Sequence, residues 1–212
     1  MNGFTLFAQP WWVNLLIAVP FISWAAWQRR AIQLDRRVLA AGAIFAIAFG
    51  FVEAAVVVYL RAAMGFLPGM QGPLSEVRRL SAELYRQPIG DITLPASLLT
   101  IELFREAATI VMLVSVSLLA ARTRAERWAM FLWCFAFWDI VYYLGLWATV
   151  GWPYSLLAPD VLFLIPTPWI AQVWFPILVS GLSILAVLLA NIWERQPATV
   201  TRAELQAASS SE

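Results

Sequence analysis

The chain contains 212 residues, of which 62% are hydrophobic and 13% are charged, and its formal net charge is +1. Soluble domains are about 45–50% apolar and about 25% charged, so this composition excludes an ordinary soluble domain and predicts membrane lipid as the surrounding medium. There is no basic tract of the kind that binds nucleic acid, and no nucleic-acid partner is expected.

Missing residue types narrow the chemistry further. The chain has no histidine, and all 14 basic residues are arginine, so lysine is absent too. These absences exclude histidine-ligated haem, imidazole catalysis and a retinal Schiff base, which needs a lysine amine. The single cysteine, Cys134, excludes an intrachain disulfide. No cofactor is predicted. A metal held by side chains would meet mostly oxygen ligands, which favours a hard divalent cation.

Long apolar segments recur along the chain and predict an all-α, polytopic helix bundle with about five membrane spans in one domain over residues 1–195. No arginine or lysine precedes the first apolar segment, so it lacks the positive region of a signal peptide and is expected to stay as a span. A loose cytoplasmic tail is expected over 196–212. The predicted spans are about 10–28, 38–61, 97–121, 128–150 and 168–193.

Two shorter segments between the spans differ from ordinary membrane helices. Residues 74–87 carry leucine and valine at helical spacing beside charged residues, which predicts an amphipathic helix on the membrane surface, serving as a tether or a lid. Residues 159–168 are too short to span and contain three prolines, so a short outer helix or a partial re-entrant loop is expected there. Pro176 falls inside the predicted fifth span and predicts a kink.

The distribution of arginine predicts the orientation of the bundle. Four arginines flank the first loop, three mark the loop between the third and fourth spans, and two lie in the tail, against four on the opposite side. The positive-inside rule then places the N-terminus outside and the C-terminus in the cytoplasm of a bacterial-type plasma (inner) membrane. Tryptophans near the predicted interfaces, Trp169 among them, fit an aromatic belt. Glycines 42, 50 and 145 predict close helix contacts.

Charged side chains inside the predicted spans point to a polar site within the bilayer. An ionised group at a helix centre costs about 2.5–3.5 kcal/mol, so groups that persist there usually serve a function. Helical spacing puts Glu102, Arg105 and Glu106 of the third span on one face. It also puts Asp139 of the fourth span on the same face as two tyrosines. Counting residues along each predicted span places these charged side chains at a similar depth, in the middle-to-outer part of the bilayer. The eight candidate binding residues are Glu53, Glu102, Arg105, Glu106, Asp139, Tyr142, Tyr143 and Asp160. Asp160 is expected at the outer mouth of the site, which Tyr59 would also reach.

The charge of this cluster suggests what it does. Glu53, Glu102, Glu106 and Asp139 would carry −4 and Arg105 +1, and a net −3 in low dielectric calls for protonation or a bound cation. The same four carboxylates would be the ligands of any metal. The first hypothesis is binding or translocation of a proton, cation or small polar solute. Alternatives are an intramembrane enzyme acting on a lipid-linked or hydrophobic substrate, and a structural or assembly subunit of a membrane complex. A homo-oligomer is left open, and an ion pair can also simply join helices.

Overall fold

A computed structural model of the chain describes residues 7–29, 32–63, 65, 72–84 and 95–193. Helices dominate these residues, and one short antiparallel hairpin interrupts them. The predicted tail, 196–212, lies outside the described residues. In chain order the elements are a 3-10 helix Trp11–Ile17, α1 Ala18–Trp27, α2 Arg36–Ala63, α3 Leu74–Leu84, α4 Ala96–Ala120, α5 Arg124–Val150, β1 Pro159–Phe163, β2 Trp169–Gln172 and α6 Trp174–Trp193.

Four of the described helices, α2, α4, α5 and α6, are long and apolar enough to cross a membrane. This agrees with the prediction of a helical membrane protein. The first predicted span, 10–28, is instead a 3-10 helix followed by α1, and its apolar stretch Trp11–Trp27 is shorter than the other four. A spanning α-helix needs about 20 residues. The count of about five spans is therefore not confirmed.

Helix α5 lies at the centre of the bundle. Within its most apolar 18-residue stretch, 61% of α5 is buried in the protein, against 22–44% for the same stretch of the other three long helices. It packs against α2, α3, α4 and α6. The contact with α2 depends on small residues: a Cβ atom at Gly50 would lie 2.5 Å from the Trp138 carbonyl oxygen, and one at Gly145 would lie 2.8 Å from the Cβ of Ala54. A Cβ at Gly42 would lie 2.7 Å from Met130 Cε. The close helix contacts predicted at these glycines are confirmed.

Strands β1 and β2 correct two predictions at once. They pair as an antiparallel hairpin in which Asp160 lies opposite Ala171, and Phe163 opposite Trp169. The described chain is mostly helical, as predicted, but it contains a small β element that the all-α prediction lacked. The short helix expected over residues 159–168 is wrong, because strand residues occupy 159–163. Prolines are the physical reason: the residue before a proline is pushed into extended backbone, and Pro166 and Pro168 have no backbone N–H of their own to donate to a helix.

The hairpin also shortens the last predicted span, 168–193. Residues 169–172 are strand, so α6 begins only at Trp174. Pro176 consequently falls in the first turn of the helix, where a missing N–H removes no intrahelical bond, and the kink that we predicted there has no cause.

Helix α3 is the amphipathic segment predicted between the second and third spans. It ends at Leu84, while residues 85–87 of the predicted segment lie outside the described residues. Val77 and Ser81 are buried, and the helix packs on α5. The Arg78 guanidinium lies over the Trp147 ring, 4.5 Å from its centroid, and this cation–π contact helps to fix α3 to the bundle.

Candidate acidic cavity

A cavity of about 90 Å³ lies between the long helices and the β-hairpin. It has room for several water molecules. Its wall contains seven of the eight side chains predicted as a binding site, contributed by α2, α4, α5 and β1. The seven are Glu53, Arg105, Glu106, Asp139, Tyr142, Tyr143 and Asp160.

Arg105 joins α4 to α2 beside this cavity. Its Nη2 and Nε atoms each lie 2.7 Å from the same oxygen of Glu102, one turn earlier on α4, and its Nη1 forms an ion pair with Glu53 on α2. The hydroxyl of Thr109 donates a second contact to Glu53, at 3.2 Å. Both glutamates are buried. The guanidinium therefore already has two carboxylate partners, and Glu102, the eighth predicted residue, neutralises Arg105 without lining the cavity.

Glu106 ties α4 to the hairpin. The backbone N–H of Leu164, the residue after β1, donates to both carboxylate oxygens of Glu106, at 3.1 and 2.8 Å. The side chain is buried, so this amide is its main compensation for lost hydration. A carboxylate on a helix thus positions the turn of the β-hairpin.

Asp139 and Asp160 make two further cross-links. The Ser180 hydroxyl on α6 donates to Asp139 on α5 at 2.7 Å, and the Tyr143 hydroxyl on α5 donates to Asp160 on β1 at 2.9 Å. The positive charge of Arg61 also acts on Asp160. Burial raises the pKa of Asp160 from 3.8 to about 6, although the Tyr143 hydrogen bond and Arg61 both oppose that rise.

The raised pKa of Asp160 predicts how stability depends on pH. A carboxyl whose pKa is higher in the folded than in the unfolded protein contributes stability that is present below about pH 4 and lost as pH rises through about 6. The free energy of unfolding of the wild type should therefore fall more steeply between pH 4 and 7 than that of Asp160→Asn, measured in detergent at each pH.

Tyr143→Phe supplies the matched comparison. It removes the hydrogen bond that lowers the pKa of Asp160, so the fall in stability should move to higher pH. Identical slopes for the wild type and Asp160→Asn would contradict the assignment.

Aromatic rings complete the wall. The Phe135 and Trp138 ring centroids are 5.4 Å apart, and those of Phe163 and Trp169 are also 5.4 Å apart, with Phe163 lying 6.3 Å from Trp138. All four rings line the cavity. The Trp138 side chain is only 6% exposed, yet its indole N–H has no hydrogen-bond partner among the described residues. Both acidic and aromatic side chains therefore line the cavity.

Several members of this site were not predicted from the sequence. The Ser180 hydroxyl sits in an apolar helix, and the Leu164 amide is a backbone group, so neither gives a sequence signal. Arg61 served only as an orientation marker, and Trp169 was assigned to the aromatic belt. Tyr59, expected at the outer mouth, is 66% exposed and lies outside the cavity wall.

The carboxylates do not form a metal-binding group. Among the described residues, no three acidic or cysteine side chains lie close enough together to hold a metal ion. The reason is that each carboxylate has a separate partner: Arg105 for Glu53 and Glu102, the Leu164 amide for Glu106, and Ser180 for Asp139. In the described residues, the four carboxylates considered from the sequence therefore do not come together as one group of ligands.

Comparisons of the chain with known protein families, with curated proteins and with solved structures found no match.

Proposed function

We propose that this protein binds a proton, cation or small polar solute at the acidic cavity and moves it through the membrane. One observation carries the proposal: the acids Glu53, Glu106, Asp139 and Asp160 face a common cavity, whereas Arg105, the arginine in its wall, is already paired with two carboxylates. Such a wall attracts positive charge and offers little to an anion.

The charge balance supports the same proposal. The five carboxyls Glu53, Glu102, Glu106, Asp139 and Asp160 carry −5 if all ionise, and Arg105 and Arg61 supply +2, which leaves −3. Uncompensated charge of that size is costly away from water. A proton or a bound cation reduces it, and the site becomes more stable when occupied.

The hydrogen bonds suggest how occupancy could be coupled to movement. Glu106 connects α4 to the hairpin, Asp139 connects α5 to α6, and Asp160 connects the hairpin to α5. A cation that competes for these carboxylates weakens contacts between elements, which is the kind of differential interaction that shifts a conformational equilibrium. In the orientation predicted from the arginines, the hairpin lies toward the outer face of a bacterial-type plasma membrane.

Neutralising the cavity acids should abolish transport. Protein reconstituted in lipid vesicles with an internal pH-sensitive dye is expected to carry a pH-dependent flux after a pH jump. Glu106→Gln and Asp139→Asn should each reduce this flux by at least about tenfold, because a loss of about 1.4 kcal/mol in site affinity already gives that factor. Both changes keep side-chain size and remove the charge.

Glu76→Gln is the matched control, since Glu76 is exposed on α3 and outside the cavity wall. It should retain wild-type flux. Wild-type vesicles no more permeable than empty ones, or variants with unchanged flux, would contradict the proposal.

A catalytic role has less support. It would use Arg105 to steady a phosphate or oxyanion, but Glu53 and Glu102 already occupy that guanidinium.

A subunit of a membrane complex is the other candidate function, and the exposed apolar surface of α4 is the observation that favours it. Only 22% of the most apolar 18-residue stretch of α4 is buried, and Phe104 and Leu119 are 74% and 88% exposed. Lipid covers such a face as well as another helix does, so transport remains the first proposal.

A further inference from the structure

We infer that the preferred ligand of the cavity is a small organic ammonium ion, held between its carboxylates and its aromatic wall. This inference rests on the proposed function, namely that the cavity binds a positive charge, and it adds the chemical class of the ligand. A metal ion, a bare proton and an organic cation make different demands on a site, and the lining distinguishes them.

The arrangement of the carboxylates disfavours an inorganic cation. Such an ion needs several oxygen ligands in one shell, at least for the hard cations that prefer carboxylates. No three acidic or cysteine side chains converge in the described parts of the chain. An ammonium group needs less, because one or two carboxylates together with its own N–H donors are enough to bind it.

The aromatic side chains favour an organic cation. Rings from Phe135, Trp138, Tyr142, Phe163 and Trp169 all line the same cavity as the acids. Trp138 and Tyr142 stack with centroids 6.4 Å apart, which extends the aromatic wall by one turn of α5. Ring faces attract alkylammonium groups by the cation–π interaction and also shelter the attached carbon atoms from water. A proton makes no use of such a wall.

The unpartnered indole of Trp138 is an independent sign that the cavity holds something. A buried N–H without an acceptor is rare in folded proteins and costs about 1–3 kcal/mol. Trp138 is 6% exposed, lines the cavity, and finds no acceptor among the described residues. An ammonium group only donates hydrogen bonds, so water held in the cavity beside the ligand would supply that acceptor. The modest cavity volume limits the ligand to a small amine.

Three probes of nearly equal size and different charge test the inference. Purified full-length protein in detergent is titrated by calorimetry with propylammonium, propionate and 1-propanol, and separately with sodium and potassium chloride. Propylammonium should bind saturably, whereas propionate and 1-propanol should not. Asp139→Asn and Glu106→Gln should each weaken propylammonium binding by at least about tenfold.

Trp138→Leu examines the aromatic contribution. It should weaken propylammonium binding by about 3- to 30-fold, the range expected from losing one desolvated cation–π contact. Trp128→Leu is the matched control on the same helix, because Trp128 donates to Ser23 and lies outside the cavity wall. Phe163→Leu is a second variant, used if Trp138→Leu does not yield folded protein.

The outcomes separate this inference from the proposed function. Flux in vesicles without propylammonium binding would leave the transport proposal standing and overturn the ligand class. Equal affinity for 1-propanol and propylammonium would also overturn it, since the charge would then play no part. Absence of both flux and binding would overturn the two together.

Discussion

Replacing Arg105 by glutamine is expected to lower the free energy of unfolding by about 3–5 kcal/mol, the usual result of removing one partner from a buried ion pair. The change leaves Glu53 and Glu102 buried without their cation, and both are only 6–7% exposed. It also breaks the connection between α4 and α2. Denaturation of purified protein in mixed micelles, followed by tryptophan fluorescence, measures the loss.

A double variant shows that charge is the cause. Arg105→Gln combined with Glu53→Gln removes both members of the inter-helix pair, so it should recover part of the stability lost in the single variant. Arg105→Lys should give an intermediate value, because an ammonium group cannot reproduce the fork that holds Glu102 through Nη2 and Nε. An Arg105→Gln protein as stable as the wild type would show that the carboxylates do not depend on the guanidinium.

The second large effect is expected at Gly50. A Cβ atom there would lie 2.5 Å from the carbonyl oxygen of Trp138 and 3.1 Å from the Cβ of Val141, so any side chain forces α2 and α5 apart. Overpacking of this kind costs about 1–3 kcal/mol, occasionally more. Gly50→Ala should fall in that range, and Gly50→Leu should be worse. The shift also moves Trp138 and Glu53, so ligand binding should weaken as well.

Gly181→Ala provides the control for helix propensity. No atom lies within 4 Å of a Cβ built at Gly181, and alanine is the better helix former, so this variant should be as stable as the wild type or more stable. The comparison uses the same denaturation experiment. Equal stability of Gly50→Leu and Gly181→Ala would contradict the close contact between α2 and α5.

The long helices were predictable because hydrophobicity alone determines them. The segments 38–61, 97–121 and 128–150 correspond to α2, α4 and α5 within a few residues. The hairpin was not predicted, since its strands are too short and too apolar to be told from helix by periodicity. The prolines at 166 and 168 indicated a break, but pairing between Asp160 and Ala171 depends on contacts that no local pattern reveals.

The candidate site shows a similar division. Helical phase placed Arg105, Glu106 and Asp139 on inward faces, and all three line one cavity. The same reasoning could not distinguish Glu102 from the residues that line the cavity. Glu102 pairs with Arg105 but does not itself form part of the cavity wall. Helical phase also could not find the partners of each acid, because the Leu164 amide and the Ser180 hydroxyl come from distant parts of the chain. Sequence reasoning located the charges, whereas the tertiary contacts determine which of them stay available.

The ion pair between α4 and α2 has a consequence for biosynthesis. Helix α4 is long and apolar enough to cross a membrane, yet it carries Glu102, Arg105 and Glu106, and such charges make insertion of a single helix by the translocon unfavourable. The Glu102–Arg105 pair within α4 lowers the free-energy cost of insertion, and pairing of Arg105 with Glu53 lowers it further once α2 is present. Since the ribosome makes α2 before α4, we expect Glu53 to be in the membrane already when Arg105 is inserted. Insertion of α4 would then depend on the order of synthesis.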